Sequence, residues 1–181
     1  MQVTPSSEPT RKAFPLLDLT DRIAKAMRIG SGVLLIFIMT VTLVDVVART
    51  IFTATGGALD VTFTGAVELV SYGMLAMVLL AFPYGVDKGQ VIVDLFTDNF
   101  SRQTKMIMEA VYMLGFTALS TGMAIRFFEV AGRMKRSGES SQDLLIPLHV
   151  VYSFASCALA FLALRCILLT IDYLISGAKR P

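Results

Sequence analysis

The chain has 181 residues, of which 55% are hydrophobic and 17% are charged, and its net charge is +2. Soluble domains carry about 25% charged residues, and a mean hydropathy of +0.68 also separates this chain from them. The apolar residues come in long blocks, and no basic stripe with interleaved aromatic residues argues for nucleic-acid binding. This pattern predicts an all-α integral membrane protein with four transmembrane helices and short amphipathic interfacial helices.

The N-terminal part divides into two segments. Residues 1–15 hold three prolines and several small polar residues, which is typical of a disordered leader. In residues 16–28, Leu16, Leu19, Ile23 and Met27 recur at spacings of three and four. This spacing predicts an amphipathic interfacial helix, and a plain cytoplasmic extension of the first span is equally compatible with it.

Four apolar blocks form the predicted membrane domain, residues 29–175. The spans are placed at about 29–52, 65–86, 105–128 and 144–175, with a tail at 176–181. The second span contains the clearest signal, an uncharged run of 18 residues from Leu69 to Val86, where a bilayer core of ~30 Å requires roughly 20. Proline is tolerated in the first turn of a helix, so Pro147 is compatible with the fourth span.

A short amphipathic segment follows the second span. Ile92, Leu95, Phe96 and Phe100 fall on one face of a helix, and charged residues occupy the remainder. The pattern predicts an interfacial helix at about 91–100, with a solvated loop as the alternative.

The distribution of Lys and Arg predicts the orientation. Ten lie outside the spans on one side, and three lie on the other. The ten are Arg11, Lys12, Arg22, Lys25, Arg28, Lys88, Arg102, Lys105, Lys179 and Arg180; the three are Arg133, Lys135 and Arg136. By the positive-inside rule both termini are cytoplasmic and the 53–64 and 129–143 loops lie outside.

Several charged residues fall within the spans, where an unpaired charge is costly. Matching heights along the helices predict an Arg49–Glu68 pair near the outer side and a Glu109–Arg165 pair near the inner side. Asp45 lies one turn before Arg49 and shares its helix face. We interpret these five residues as structural ties between helices. The alternative, in which Asp45 or Glu68 carries an ion or proton, is weakened by the arginine beside Asp45.

The sequence carries little catalytic chemistry. His149 is the only histidine, so the chain cannot supply two axial haem ligands or a histidine metal cluster. Phosphate-binding glycine loops, nucleophile elbows and CxxC motifs are also missing from it. We therefore expect neither an enzyme nor a cofactor-binding protein.

The ordered motifs resemble the small membrane subunit of TRAP (tripartite ATP-independent periplasmic) transporters. They are VDVVARTIF at 44–52, GAVELVSYGMLAM at 65–77, GVDKGQVIVDLF at 85–96 and LLIPLHVVYSF at 144–154. The resemblance covers nearly the whole chain after Leu16. Two positions depart from it: Gln90 stands where histidine is frequent, and Ser-Phe-Ala follows Tyr152 where a proline is frequent.

The resemblance implies a scaffold role in the bacterial inner membrane. A larger multi-span membrane subunit would hold the substrate and sodium sites, and a periplasmic binding protein would deliver a solute, typically a carboxylate. The small subunit would stay fixed in the lipid bilayer, without a cofactor of its own, and its outer loops would help dock the binding protein. Asp60, Arg133, Lys135 and Arg136 are the candidate docking residues.

Two other functions are compatible with a small four-span protein. A stand-alone proton-coupled exchanger requires an unpaired carboxylate near the middle of its first span, whereas Asp45 lies off-centre. For a membrane anchor of a respiratory complex, the single histidine argues against the di-haem version and leaves only a weak case for quinone binding. Transport by the isolated protein and its absorbance spectrum distinguish these functions from a scaffold.

Overall fold

The computed structural model describes residues 15–58, 63–88 and 102–178. These residues form four long helices: α1 (Pro15–Ala54), α2 (Ala66–Lys88), α3 (Arg102–Ser137) and α4 (Leu148–Ala178). All four contain a stretch long and apolar enough to cross a membrane. The predicted class, an all-helical protein with four spanning helices, is confirmed.

The helix ends differ from the predicted spans by four residues or more in three places. Residues 16–28 form the first turns of α1 and are continuous with the first span, so they are not a separate helix. α3 continues to Ser137, nine residues beyond the predicted end, and Gly138 closes it with φ of 71°. The fourth helix begins at Leu148 instead of residue 144, because the backbone of residues 144–147 is committed to a tight loop.

Other predicted segments lie outside the described residues. They are most of the leader at 1–15, the interfacial helix at 91–100 and the last three residues of the tail. The interfacial placement of residues 16–28 also stays a prediction.

The helices form a row rather than a closed bundle. α1 packs against α2, α2 packs against α4, and α4 packs along α3. Within the described ranges, no Cα atom of α3 comes within 8 Å of α1 or α2, and α1 meets α4 only briefly. α4 is the best covered helix, since 56% of its most apolar stretch is buried, against 17% in each of the other three.

Apolar side chains between α2, α3 and α4 form the core of the row. Met113 and Cys166 are fully buried there, together with Leu159 and Leu162 of α4. Outside this core, the long apolar side chains of α1 and α3 are exposed. In a protein that crosses a membrane, such faces contact lipid or other membrane helices. The exposed faces of α1 and α3 are therefore apolar surfaces of the row.

Candidate functional site

Two ends of the row must be distinguished. At the loop end, α1 stops, α2 starts, and the α3–α4 loop (residues 138–147) joins the last two helices. At the terminal end, α1 starts and α4 stops. Polar groups connect different helices at both ends.

The carboxylate of Glu68 is the main polar contact at the loop end. It lies in the first turn of α2 and accepts hydrogen bonds from three backbone amides of the α3–α4 loop. Oε1 accepts from Gln142 at 2.7 Å and Asp143 at 3.2 Å, and Oε2 accepts from Leu144 at 3.0 Å. Successive amides around one anion form a nest, and here the anion belongs to another helix.

Close packing holds the loop against the start of α2. A Cβ atom added to Gly65 would lie 2.5 Å from Cδ2 of Leu144, so the absence of a side chain lets the loop approach. Within the loop, the amide of Ser141 donates to the carbonyl of Ile146 at 2.9 Å. Leu145 has φ of 52°, a left-handed conformation that is uncommon for leucine. The loop is therefore a defined turn fixed to α2.

Arg165 forms the corresponding tie at the terminal end. Its Nη2 atom lies 2.9 Å from Oδ1 of Asp21, and its side chain is 3% exposed. Asp21 also pairs with Lys25 one turn further along α1, at 2.9 Å. Nearby, the Arg28 guanidinium lies over the ring of Tyr84, 4.2 Å from its centroid, and links α1 to α2.

The predicted Arg49–Glu68 pair is wrong. Nε of Arg49 binds Oδ2 of Asp45 at 2.8 Å within α1, and the Glu68 carboxylate is turned to the α3–α4 loop. An arginine and an aspartate one turn apart meet without bringing two helices together, and the loop amides supply Glu68 with partners that charge counting does not reveal. Because Asp45 is paired with Arg49, the first span also lacks the unpaired carboxylate that the exchanger hypothesis requires.

The other predicted site residues have mixed outcomes. Arg165 does tie two helices, with Asp21 as a partner; the side chain of Glu109 lies outside the described residues, so its pairing stays a prediction. Asp60 lies outside them as well. Arg133, Lys135 and Arg136 are exposed in the last turns of α3, next to the α3–α4 loop.

Sequence reasoning missed three of the observed contacts. It did not pair Asp21, because residues 16–28 were placed outside the membrane domain at 29–175. It had no signal for the loop amides that bind Glu68, since every residue type except proline carries a backbone N–H. It also gave no role to Ser156, whose buried hydroxyl donates to the carbonyl of Ala124 at 2.9 Å and links α4 to α3.

The polar contacts described above join helices and loops to one another. Within the described residues, no group of three or more His, Cys, Asp or Glu side chains is placed to hold a metal ion. Most of the described charged side chains connect helices, pair within one helix or face outward. Such a set of contacts fixes helices in place.

Comparison with known protein families identifies the family of this chain. Residues 38–174 match the family model of the DctQ component of tripartite ATP-independent periplasmic transporters. The chain belongs to this family. The match spans α1 from Ile38 to nearly the end of α4, so it includes Glu68, the α3–α4 loop and Arg165. No curated protein and no solved structure matched the chain.

Membership assigns the chain to a transporter and to the membrane. The DctQ family supplies the small membrane component of a tripartite transporter, which confirms the family suggested by the sequence motifs. It is a transporter-component family rather than an enzyme family. The four apolar helices agree with a multi-pass membrane protein.

Proposed function

We propose that this chain is the static small subunit of a sodium-coupled, binding-protein-dependent transporter for organic solutes of the carboxylate class. It lies in the bacterial inner membrane with both termini in the cytoplasm. A large multi-span subunit binds sodium and the solute, and this chain itself carries no cofactor. The periplasmic binding protein docks partly on the loop end.

The observation that carries the scaffold proposal is the pair of ties at opposite ends of the row. Glu68 joins α2 to the α3–α4 loop, and Asp21 joins α1 to α4. Ties at both ends of the row oppose sliding of the helices past one another. The apolar faces exposed on α1 and α3 supply surface for a large membrane partner and for lipid.

Co-purification and reconstitution test this role. The tagged chain, expressed with the genes beside its own, is expected to bring a large multi-span protein with it in equal amount. In proteoliposomes, solute uptake should require the large subunit, the binding protein and a sodium gradient. Uptake by this chain alone, or a stable dimer of it without a partner, would contradict the proposal.

The docking role has a separate test. Arg133, Lys135 and Arg136 form an exposed basic group next to the α3–α4 loop, so changing all three to Glu should slow binding-protein association about tenfold at low ionic strength. Arg126→Glu is the matched control, because Arg126 is also exposed on α3 but lies about three turns from the loop. Unchanged affinity in the triple variant would remove these residues from the docking surface.

A further inference from the structure

A groove between α1 and α2 lies beside an incompletely satisfied carboxylate. The groove has a volume of about 210 Å³ and is lined mainly by apolar side chains, among them Phe37, Val41, Val44 and Leu69. Asp45 is the one charged residue in its lining. Oδ2 of Asp45 binds Arg49, whereas the buried Oδ1 atom has no hydrogen-bond partner among the described residues. A buried acceptor without a donor is costly and indicates a missing partner.

The lengths of the helices put the Asp45 end of the groove near the headgroup boundary, and the Phe37 end reaches about 12 Å deeper. Its lining joins Asp45 and Ala48 of α1 to Phe63 and Ala66 at the start of α2. The apolar stretch of α2 has 21 residues, from Ala66 to Val86, which corresponds to about 31 Å and matches the ~30 Å bilayer core. Ala66 is therefore at one boundary of the hydrocarbon, and Asp45 lies level with it.

Arg49 supplies the complementary charge at the same place. Its bond to Asp45 uses Nε, and its side chain is 56% exposed. The terminal N–H groups have no other partner among the described residues, and they match phosphate oxygens in geometry. Asp45 and Arg49 thus present an acceptor and a set of donors beside an apolar groove.

We infer that this groove binds a phospholipid with a primary ammonium headgroup, of the phosphatidylethanolamine type. The ammonium donates to Oδ1 of Asp45, the phosphate accepts from Arg49, and an acyl chain fills the groove. A zwitterionic headgroup matches the Asp45–Arg49 pair and leaves the net charge of the site unchanged. A lipid of this type supplies both the donor for Oδ1 and the acceptor for Arg49 in one headgroup.

The inference is independent of the proposed scaffold role, since a lipid at this groove requires no particular transport cycle. It predicts that the groove prefers lipids whose headgroup carries N–H donors. Phosphatidylcholine carries the same phosphate and the same acyl chains, but its quaternary ammonium has no N–H group. The two lipids therefore isolate the hydrogen bond to Asp45.

Native mass spectrometry of the delipidated full chain, titrated with the two lipids at equal acyl composition, tests the site. The wild type should bind phosphatidylethanolamine about tenfold more tightly than phosphatidylcholine. Asp45→Ala, which removes the acceptor, should bring the ratio close to one, and Asp18→Ala, the same change at an exposed position of α1, should preserve it. Equal binding of both lipids by the wild type would overturn the inference.

A second variant keeps the test valid if Asp45→Ala folds poorly. Thr40 lines the groove but is exposed, so Thr40→Phe should fill the groove without disturbing helix packing and weaken the binding of both lipids. Thr50→Phe is the control, because Thr50 is exposed on α1 and does not line the groove. If Thr40→Phe leaves lipid binding intact but releases the large membrane subunit in co-purification, the groove holds a protein side chain and the inference is wrong.

Discussion

The loop end and the terminal end of the row are held by different kinds of contact. At the loop end, one carboxylate accepts hydrogen bonds from three backbone amides of a distant loop. At the terminal end, a buried arginine pairs with an aspartate from another helix. The first contact fixes the shape of a loop as well as the position of a helix, whereas the second fixes only the position of two helices.

This difference has a functional consequence. The loop end carries the exposed basic group and the loop proposed to meet a soluble partner, and a preformed loop loses less conformational entropy on binding. The terminal end shows only an anchor between helices. Variants at the two ends should therefore separate docking from the stability of the membrane domain.

The largest effect is expected from Glu68→Ala, which removes all the hydrogen bonds between α2 and the α3–α4 loop at once. The amides of Gln142, Asp143 and Leu144 should lose most of their protection in hydrogen–deuterium exchange. The solubilised complex should also melt at a lower temperature. Glu68→Gln keeps an acceptor and should retain part of both properties. A Glu68→Ala variant that matches wild type in exchange and melting would show that the loop is held by other contacts.

Asp21→Ala should weaken the terminal end without changing the loop. Loss of a hydrogen bond to a charged group costs about 1.5–3 kcal/mol, and Arg165 is buried, so the variant should be less stable to thermal unfolding. Asp18→Ala, at an exposed position one turn away, is the control. Reduced protection of the α3–α4 loop in the Asp21 variant would contradict the independence of the two ends.

Gly65→Ala perturbs the loop end by size rather than by charge. The added Cβ would meet Leu144, and overpacking costs about 1–3 kcal/mol when neighbours cannot move. We expect faster exchange at Leu144 and weaker affinity for the binding protein. Gly115→Ala, where the space around a Cβ is open, should leave both unchanged. Equal behaviour of the two variants would show that the loop does not depend on this close approach.

The smallest effect is expected for Ser156→Ala, between the two ends. Hydrogen bonds between membrane helices average about 0.6 kcal/mol, and this variant loses one bond from α4 to the carbonyl of Ala124. Thermal unfolding should shift only slightly, and Ser153→Ala, whose hydroxyl bonds within its own helix, is the matched control. A Ser156 effect as large as that of Asp21→Ala would mean that the middle of the row, rather than its ends, holds the helices together.

The sequence predicted the helices better than their contacts. The uncharged run from Leu69 to Val86 placed α2 almost to the residue, because membrane thickness sets the length of such a run. The end of α3 was missed, because the polar residues from Arg133 onward extend the helix beyond its apolar part. The start of α4 was missed because residues 144–147 belong to a loop shaped by contacts with α2.

Contacts between helices could be predicted only in part. Matching heights identified Arg165 as a tie but gave Glu68 the wrong partner, since height says nothing about the direction in which a side chain points around its helix. Arg49 found an aspartate in its own helix. The amides that bind Glu68 have no sequence signature, because every residue except proline carries one.

The rigidity of the row during transport is the central claim, and a distance measurement in the reconstituted complex tests it most directly. Spin labels would be placed at Thr53, near the end of α1, and at Glu129 of α3, both exposed and outside the proposed docking residues, with Cys157 and Cys166 replaced by alanine. We expect one narrow distance distribution that stays the same with and without sodium, solute and binding protein, while labels on the large subunit move. A distribution that shifts or splits when solute and sodium are added would show that this subunit moves with the transport cycle and would contradict the scaffold account.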